Sequence, residues 1–196
     1  MKRLFDIVAS FFGLMMLFPV FIIMSILIII DSGFPVFYRQ TRVGRNSVDF
    51  RLWKFRSMHA DADKRGLLTV GDRDPRITKM GFFLRKTKLD ELPQLINVLV
   101  GDMSLVGPRP EVRRYVDHYS KEQMRVLSIR PGITDNASIK FRNETEILAN
   151  QDDPEQYYID YILPEKTALY LRYVDSRSFL GDLKMIFNTF VAIIRS

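Results

Sequence analysis

From Leu4 to Ile30 this chain is almost wholly apolar, and Asp6 carries the one charge in that span. As a helix rising about 1.5 Å per residue, the stretch is long enough to cross a hydrocarbon core of roughly 30 Å. It outruns a signal-peptide core, and no small-residue cleavage site follows it. The alternative is a buried core helix, which the length argues against. A chain with this segment is expected to be held in a membrane.

The flanking charges bear on how it sits there. Lys2 and Arg3 precede the stretch, while Arg39, Arg42, Arg45 and Arg51 follow it. Positive charge prefers the cytoplasmic side, so both flanks point to the same face. Pro19 lies mid-stretch, where it removes one backbone hydrogen bond and can bend a helix. A helix that enters, bends at Pro19 and leaves by the same leaflet satisfies both observations. A proline-containing helix that simply spans is the alternative.

The remainder of the 196 residues is enough for one ordinary domain. With no cysteine, a disulfide framework, a thiolate zinc site and a cysteine nucleophile are all excluded. The two histidines, His59 and His118, are far apart and read as surface residues, not metal ligands. Lys and Arg total 29 against 23 Asp and Glu, a formal charge of +6. Anionic partners follow: nucleic acid, anionic lipid or phosphorylated metabolites.

After the turn residues Asp31 to Pro35, two strand-like runs (36–41 and 48–55) surround Gly44-Arg45-Asn46 and read as a β-hairpin. Alternation places Lys54 and Arg56 on one face of its second strand. The polar segment 57–78 reads as an ordered loop with some helix. Thr78 is expected to cap a helix over 79–86, and Pro93 to open another over 92–99. A Gly/Pro-rich loop (101–110) precedes a helical stretch expected over 111–127. Asp153-Pro154 starts a helix and Pro164 the next. Apolar residues from Phe179 to Ile194 recur at helical spacing, a stripe for core or for membrane-surface packing.

No Walker A, Gly-x-Gly-x-x-Gly or His-Glu-x-x-His string occurs. Basic residues interleaved with aromatics between Phe37 and Arg56 could suggest RNA, but beside a membrane helix lipid headgroups explain them better. Asp90 and Glu91 sit just ahead of Pro93, where acidic residues are favoured by the helix dipole and capping is the plain reading. Their setting among Arg85, Lys86, Lys88 and Arg109 allows another. An ionised Asp can attack phosphorus, and a divalent metal would relieve the charge repulsion. Arg109, fenced by Pro108 and Pro110, is held at low entropic cost and suits either phosphate or a partner carboxylate. Asp72 to Arg76 is a charge-alternating turn, expected to be solvated or self-paired.

Taken together these strings resemble a known family. The run from Lys88 to Leu99 (KLDELPQLINVL) and that from Gly101 to Glu111 (GDMSLVGPRPE) are similar to the signature of the bacterial sugar transferases. These are small monotopic phosphoglycosyl transferases that begin glycan assembly on a polyprenol carrier. The likeness continues at residues 2–6, 37–44, 53–58, 74–78 and 130–134.

The resemblance implies an α+β, mainly α fold: a re-entrant helix bent at Pro19 (residues 1–31), then a cytoplasmic catalytic domain (residues 32–196) with a small β-hairpin and interfacial helices. It implies transfer of a sugar-1-phosphate from a UDP-sugar to undecaprenyl phosphate, releasing UMP, with Mg2+ required, at the cytoplasmic face of the bacterial inner membrane. Asp90 would form a covalent phospho-sugar intermediate and touch the metal. Glu91 would assist, for instance by deprotonating the acceptor phosphate. Lys54, Arg85 and Arg109 would contact phosphates. Membrane lipids are expected partners, nucleic acid is not, and a homodimer stays open. A non-catalytic polyprenol-phosphate or membrane-binding assembly partner is the alternative function.

Where many members place a second glycine after Arg-Pro-Gly-Ile-Thr, this chain has Asp135. An Asp tolerates a left-handed backbone less easily than Gly and adds negative charge near a polyphosphate site. That departure bears on the donor sugar. Residues 143–164 fit the smallest members poorly, and no function carries over to them.

Overall fold

In a computed structural model, residues 1–60, 62, 66, 68–71 and 74–194 are described. Asp72 and Arg73 of the charge-alternating turn lie outside them. The apolar stretch forms one helix, α1 (Lys2–Ser32), with Pro19 inside it, and only 11% of its most apolar window is buried. It is the one described helix long and apolar enough to cross a membrane.

Both ends of α1 are tied to the same body. At the start, Arg3 donates from Nη1 to Val98 O at 2.6 Å and from Nη2 to Leu99 O at 3.0 Å. These carbonyls belong to the last turn of α3 (Gln94–Val100), which has no intrahelical donors left for them. Asp6, the one charge of the apolar stretch, is buried and accepts from Leu105 N at 3.1 Å. At the other end, Arg56 donates to Ser32 O at 2.8 Å and Phe34 O at 2.7 Å. Between them, Met24 and Ile28 pack with Phe55 and Leu84 in one apolar cluster.

The hairpin forms as its sequence directs. β1 (Phe37–Val43) pairs antiparallel with β2 (Asp49–Phe55), with Tyr38 opposite Lys54. Asn46 takes the left-handed turn conformation at φ 58°. Next, α2 (Lys79–Lys86) is capped by Thr78, whose hydroxyl accepts from Gly81 N. Gly81 packs against the backbone of Ser57, where a Cβ would lie 1.9 Å from Ser57 O.

A second, parallel pair was not foreseen. β3 (Ser104–Val106) runs beside β4 (Gly132–Thr134), so the Gly-Pro-Arg-Pro and Arg-Pro-Gly-Ile-Thr strings meet. Gly107 and Gly132 make that approach, since a Cβ on Gly132 would fall 2.0 Å from Gly107 N. The helix expected over 111–127 is corrected. It is a short α4 (Arg113–Val116) and a separate 3-10 turn (Gln123–Ser128), because the chain must change direction to bring β4 beside β3.

The C-terminal half is helical: α5 (Asn136–Lys140), α6 (Glu144–Ala149), α7 (Pro154–Tyr157), α8 (Leu163–Ser176) and α9 (Phe179–Ile194). Asp153 caps α7 as expected. No break separates α7 from α8, correcting the separate start expected at Pro164: a π-type turn over Tyr158–Ile162 joins them, so Pro164 lies just past that turn within a continuous helical run and gives up one backbone hydrogen bond to the turn before it. On α9, Asp182 and Met185 face inward, whereas Leu180 and Phe187 are 78% and 68% exposed. Among the described residues the architecture is mostly helical with two small sheets and one long apolar helix, which fits a monotopic membrane protein.

Candidate active site

Asp90 and Glu91 lie in a single 3-10 turn, Leu89–Glu91, between α2 and α3. Lys88 precedes it in the left-handed conformation at φ 57°, a strained setting for a lysine that redirects the chain into the turn. Asp90 is 5% exposed, yet it lines a cavity of about 350 Å³ together with Lys54, Arg85 and Arg109. Three separate elements bring these cations there: β2 carries Lys54, α2 carries Arg85, and the Pro108-Pro110 segment carries Arg109.

The two carboxylates are held differently. Lys54 Nζ lies 4.0 Å from Asp90 Oδ2 but only 3.0 Å from Glu91 Oε1. Arg109 grips Glu91 with both Nη atoms, Nη1 donating to Oε2 at 3.0 Å and Nη2 to Oε1. Burial would raise the Glu91 carboxyl, but Arg109 and Lys54 together hold it well below its usual range. Asp90 goes the other way: burial pushes it above the usual range, with Lys54 opposing and the Glu91 charge reinforcing. Two adjacent carboxylates thus have divided environments, one exposed to the cavity and one saturated by cations.

Arg85 donates to Thr69 Oγ1 at 3.0 Å and so ties α2 to the loop that forms the far side of the cavity. That loop is pinned in turn by Arg76, buried against Asp74 and bonded to Gly66 O and Leu68 O. Arg56 also lines the cavity, but its guanidinium reaches the carbonyls that end α1, so it and Lys54 serve different partners. Both histidines are exposed, in line with the sequence reading.

Asp135 corrects one expectation. Its φ of −158° is extended backbone that any residue adopts, so no left-handed strain arises. The carboxylate caps α5, accepting from Ser138 N at 2.7 Å and Ser138 Oγ at 2.6 Å.

Among the described residues no group of three or more acidic or histidine side chains is placed to hold a metal. Beside Lys54, Arg85 and Arg109, Asp90 is the carboxylate that lines the cavity. That donor set suits a hard cation such as Mg2+, which binds through one or two carboxylates plus substrate phosphates and keeps several waters.

Sequence reasoning missed one part of the cavity: Arg42, Glu111, Glu144, Tyr158 and Lys166 also line it. Glu111 could have been found, because an extended Pro-Arg-Pro-Glu segment places Arg109 and Glu111 on one side.

The bacterial sugar transferase family matches residues 1–196. The chain belongs to that family. It is 42% identical over 141 residues to the UDP-N-acetylgalactosamine-undecaprenyl-phosphate N-acetylgalactosaminephosphotransferase of Aeromonas hydrophila, covering 70% of this chain and 33% of that protein. To the UDP-glucose:undecaprenyl-phosphate glucose-1-phosphate transferase of Escherichia coli (strain K12) it is 39% identical over 166 residues, 83% of this chain and 36% of the other. The chain therefore spans about a third of the length of these two relatives. It aligns along nearly all of the exopolysaccharide production protein PSS of Rhizobium leguminosarum bv. phaseoli, at 36% identity over 98% of this chain and 94% of that one.

Proposed function

We propose that this sugar transferase moves a sugar-1-phosphate from a UDP-sugar to undecaprenyl phosphate, through a covalent intermediate on Asp90. The carrying observation is a buried carboxylate that opens onto a cavity among Lys54, Arg85 and Arg109. An Asp90 oxygen attacks the β-phosphorus, the bond from that phosphorus to the bridging oxygen breaks, and UMP leaves with both electrons. A phosphate oxygen of undecaprenyl phosphate then attacks the same phosphorus and releases the Asp90 carboxylate, giving the polyprenyl diphospho-sugar. One phosphate site serves both substrates in turn. Lys54, Arg85 and Arg109 supply the positive charge that the developing phosphoryl charge requires. Mg2+ held by Asp90 and the diphosphate oxygens would neutralise part of that charge.

Glu91 is better suited to hold Lys54 and Arg109 in place than to accept a proton, because both its oxygens are already engaged by cations. Residues 1–31 form the membrane segment and 32–196 the catalytic body, on the cytoplasmic face of the inner membrane. Docking of both α1 ends onto one body supports a re-entrant course bent at Pro19, since a spanning helix would part its ends across the bilayer.

The test is UMP release by detergent-purified protein with undecaprenyl phosphate, Mg2+ and a panel of UDP-sugars, followed by intact-mass detection of a phospho-sugar on Asp90. Release without any adduct would sink the covalent step. Silence with every donor from folded protein would favour a non-catalytic binder of polyprenol phosphate.

A further inference from the structure

A second group of residues lining the same cavity, Arg42, Glu111, Glu144, Tyr158 and Lys166, has no part in that mechanism. Its residues form one connected network. Tyr158 donates its hydroxyl to Glu111 Oε1 at 2.7 Å, and Arg42 Nη1 lies 3.6 Å from Glu111 Oε2. Lys166 Nζ pairs with Glu144 Oε2 at 2.5 Å, reaches the Tyr158 hydroxyl at 3.4 Å and sits 4.9 Å from the Tyr158 ring centroid. Lys166 and Glu111 are both deeply buried. Withdrawing such ions from water is costly, and well-packed apolar residues would hold a fold as well or better. Packing is therefore a poor reason for this network, and its place on a cavity wall suggests a ligand.

Its chemistry says which part of a ligand. Around Asp90 the walls are cationic, as phosphate oxygens require. Here two carboxylates, two cations and a phenol balance one another, so acceptors and donors are interleaved. Hydroxyl groups, each both donor and acceptor, match such a mixture, and a diphosphate does not. Resting on the reading that the donor's diphosphate lies against Asp90, we infer that the Glu111–Tyr158–Lys166–Glu144 wall binds the sugar ring of the UDP-sugar and selects it. Ring hydroxyls donate to Glu111 and Glu144, and Lys166 donates to a hydroxyl oxygen.

The experiment is equilibrium titration in an Asp90→Asn background, which prevents turnover. The probes are UDP-glucose, UDP-galactose, UDP-N-acetylglucosamine, UDP-N-acetylgalactosamine and UMP. Adding Lys166→Met or Glu144→Gln is expected to weaken the best UDP-sugar by about tenfold or more and to reorder the panel. UMP affinity should stay within about twofold, because UMP lacks the sugar ring. A parallel fall in UMP affinity would assign the wall to the nucleotide and overturn the inference, as would unchanged affinities throughout. Glu144→Gln keeps the side chain's shape at a partly exposed position and carries the test if Lys166→Met does not fold. Wild-type protein that binds UDP-sugars yet releases no UMP would remove the transferase reading while leaving the binding result to judge the wall.

Discussion

At the residue scale, the site depends on how two neighbouring carboxylates are partnered. Asp90→Asn is expected to abolish UMP release and adduct formation while melting temperature and membrane association hold, because the change removes a buried charge and keeps the side chain's shape. Calorimetry beside the turnover assay checks both halves. Arg109→Ala should lower kcat by about 100- to 1,000-fold, the range for losing one aligned electrostatic donor. Glu91→Gln should act through the same arginine and through Lys54, so the double variant should cost little more than the worse single one. Additive losses would mean that Glu91 has a separate task. The pairing of Arg109 with Glu91 was one of two partners its proline-fenced setting allowed; choosing between them needed the distance between the Leu89–Glu91 turn and the segment after β3.

Elements bring these side chains together, and their close approaches are where substitutions are least tolerated. Gly132→Ala would put a Cβ against the Gly107 backbone, force β3 and β4 apart and destabilise the fold by about 3 kcal/mol. Comparing its melting temperature with that of Gly13→Ala, whose nearest neighbour is the flexible tip of Leu95 at 3.4 Å, isolates the backbone clash. The loop behind Arg85 depends on charge. Hydrogen bonding from Arg76 holds the Asp74 carboxyl below its usual range despite burial. A lowered native value means stability that is present above the unfolded carboxylate pKa and lost as pH falls through the native one. Asp74→Asn should therefore be less stable than the parent at neutral pH, and the two should converge in acid. Acid titration of melting temperature reads this directly; a constant gap would refute it.

At the scale of the whole molecule, α1 packs at both ends against the rest of the chain. Because the chain lacks cysteine, a single one can report topology. A cysteine added ahead of Met1 and, separately, Phe34→Cys should both resist an impermeant maleimide from outside intact cells and react once the membrane is opened. Labelling of the first alone from outside would show a spanning helix. Much of this organisation was legible in the linear chain. The apolar length of α1, the Thr78 and Asp153 caps and the hairpin all follow from interactions spanning a few residues, which local propensity and periodicity record, whereas Asp90 and Glu91 form a turn of their own and make no side-chain cap on α3. What only the tertiary structure decided lies between distant segments: β3 beside β4, Arg3 on the end of α3, Glu91 rather than Asp90 in the grip of Arg109, and the Glu111–Tyr158–Lys166–Glu144 network on the same cavity. Helical periodicity between 111 and 127 was overruled there because bringing two glycine backbones into contact required the chain to turn. A sequence holds its local preferences in order along the chain, whereas contacts between remote residues arise when the whole chain buries its apolar surface and satisfies its buried polar groups together.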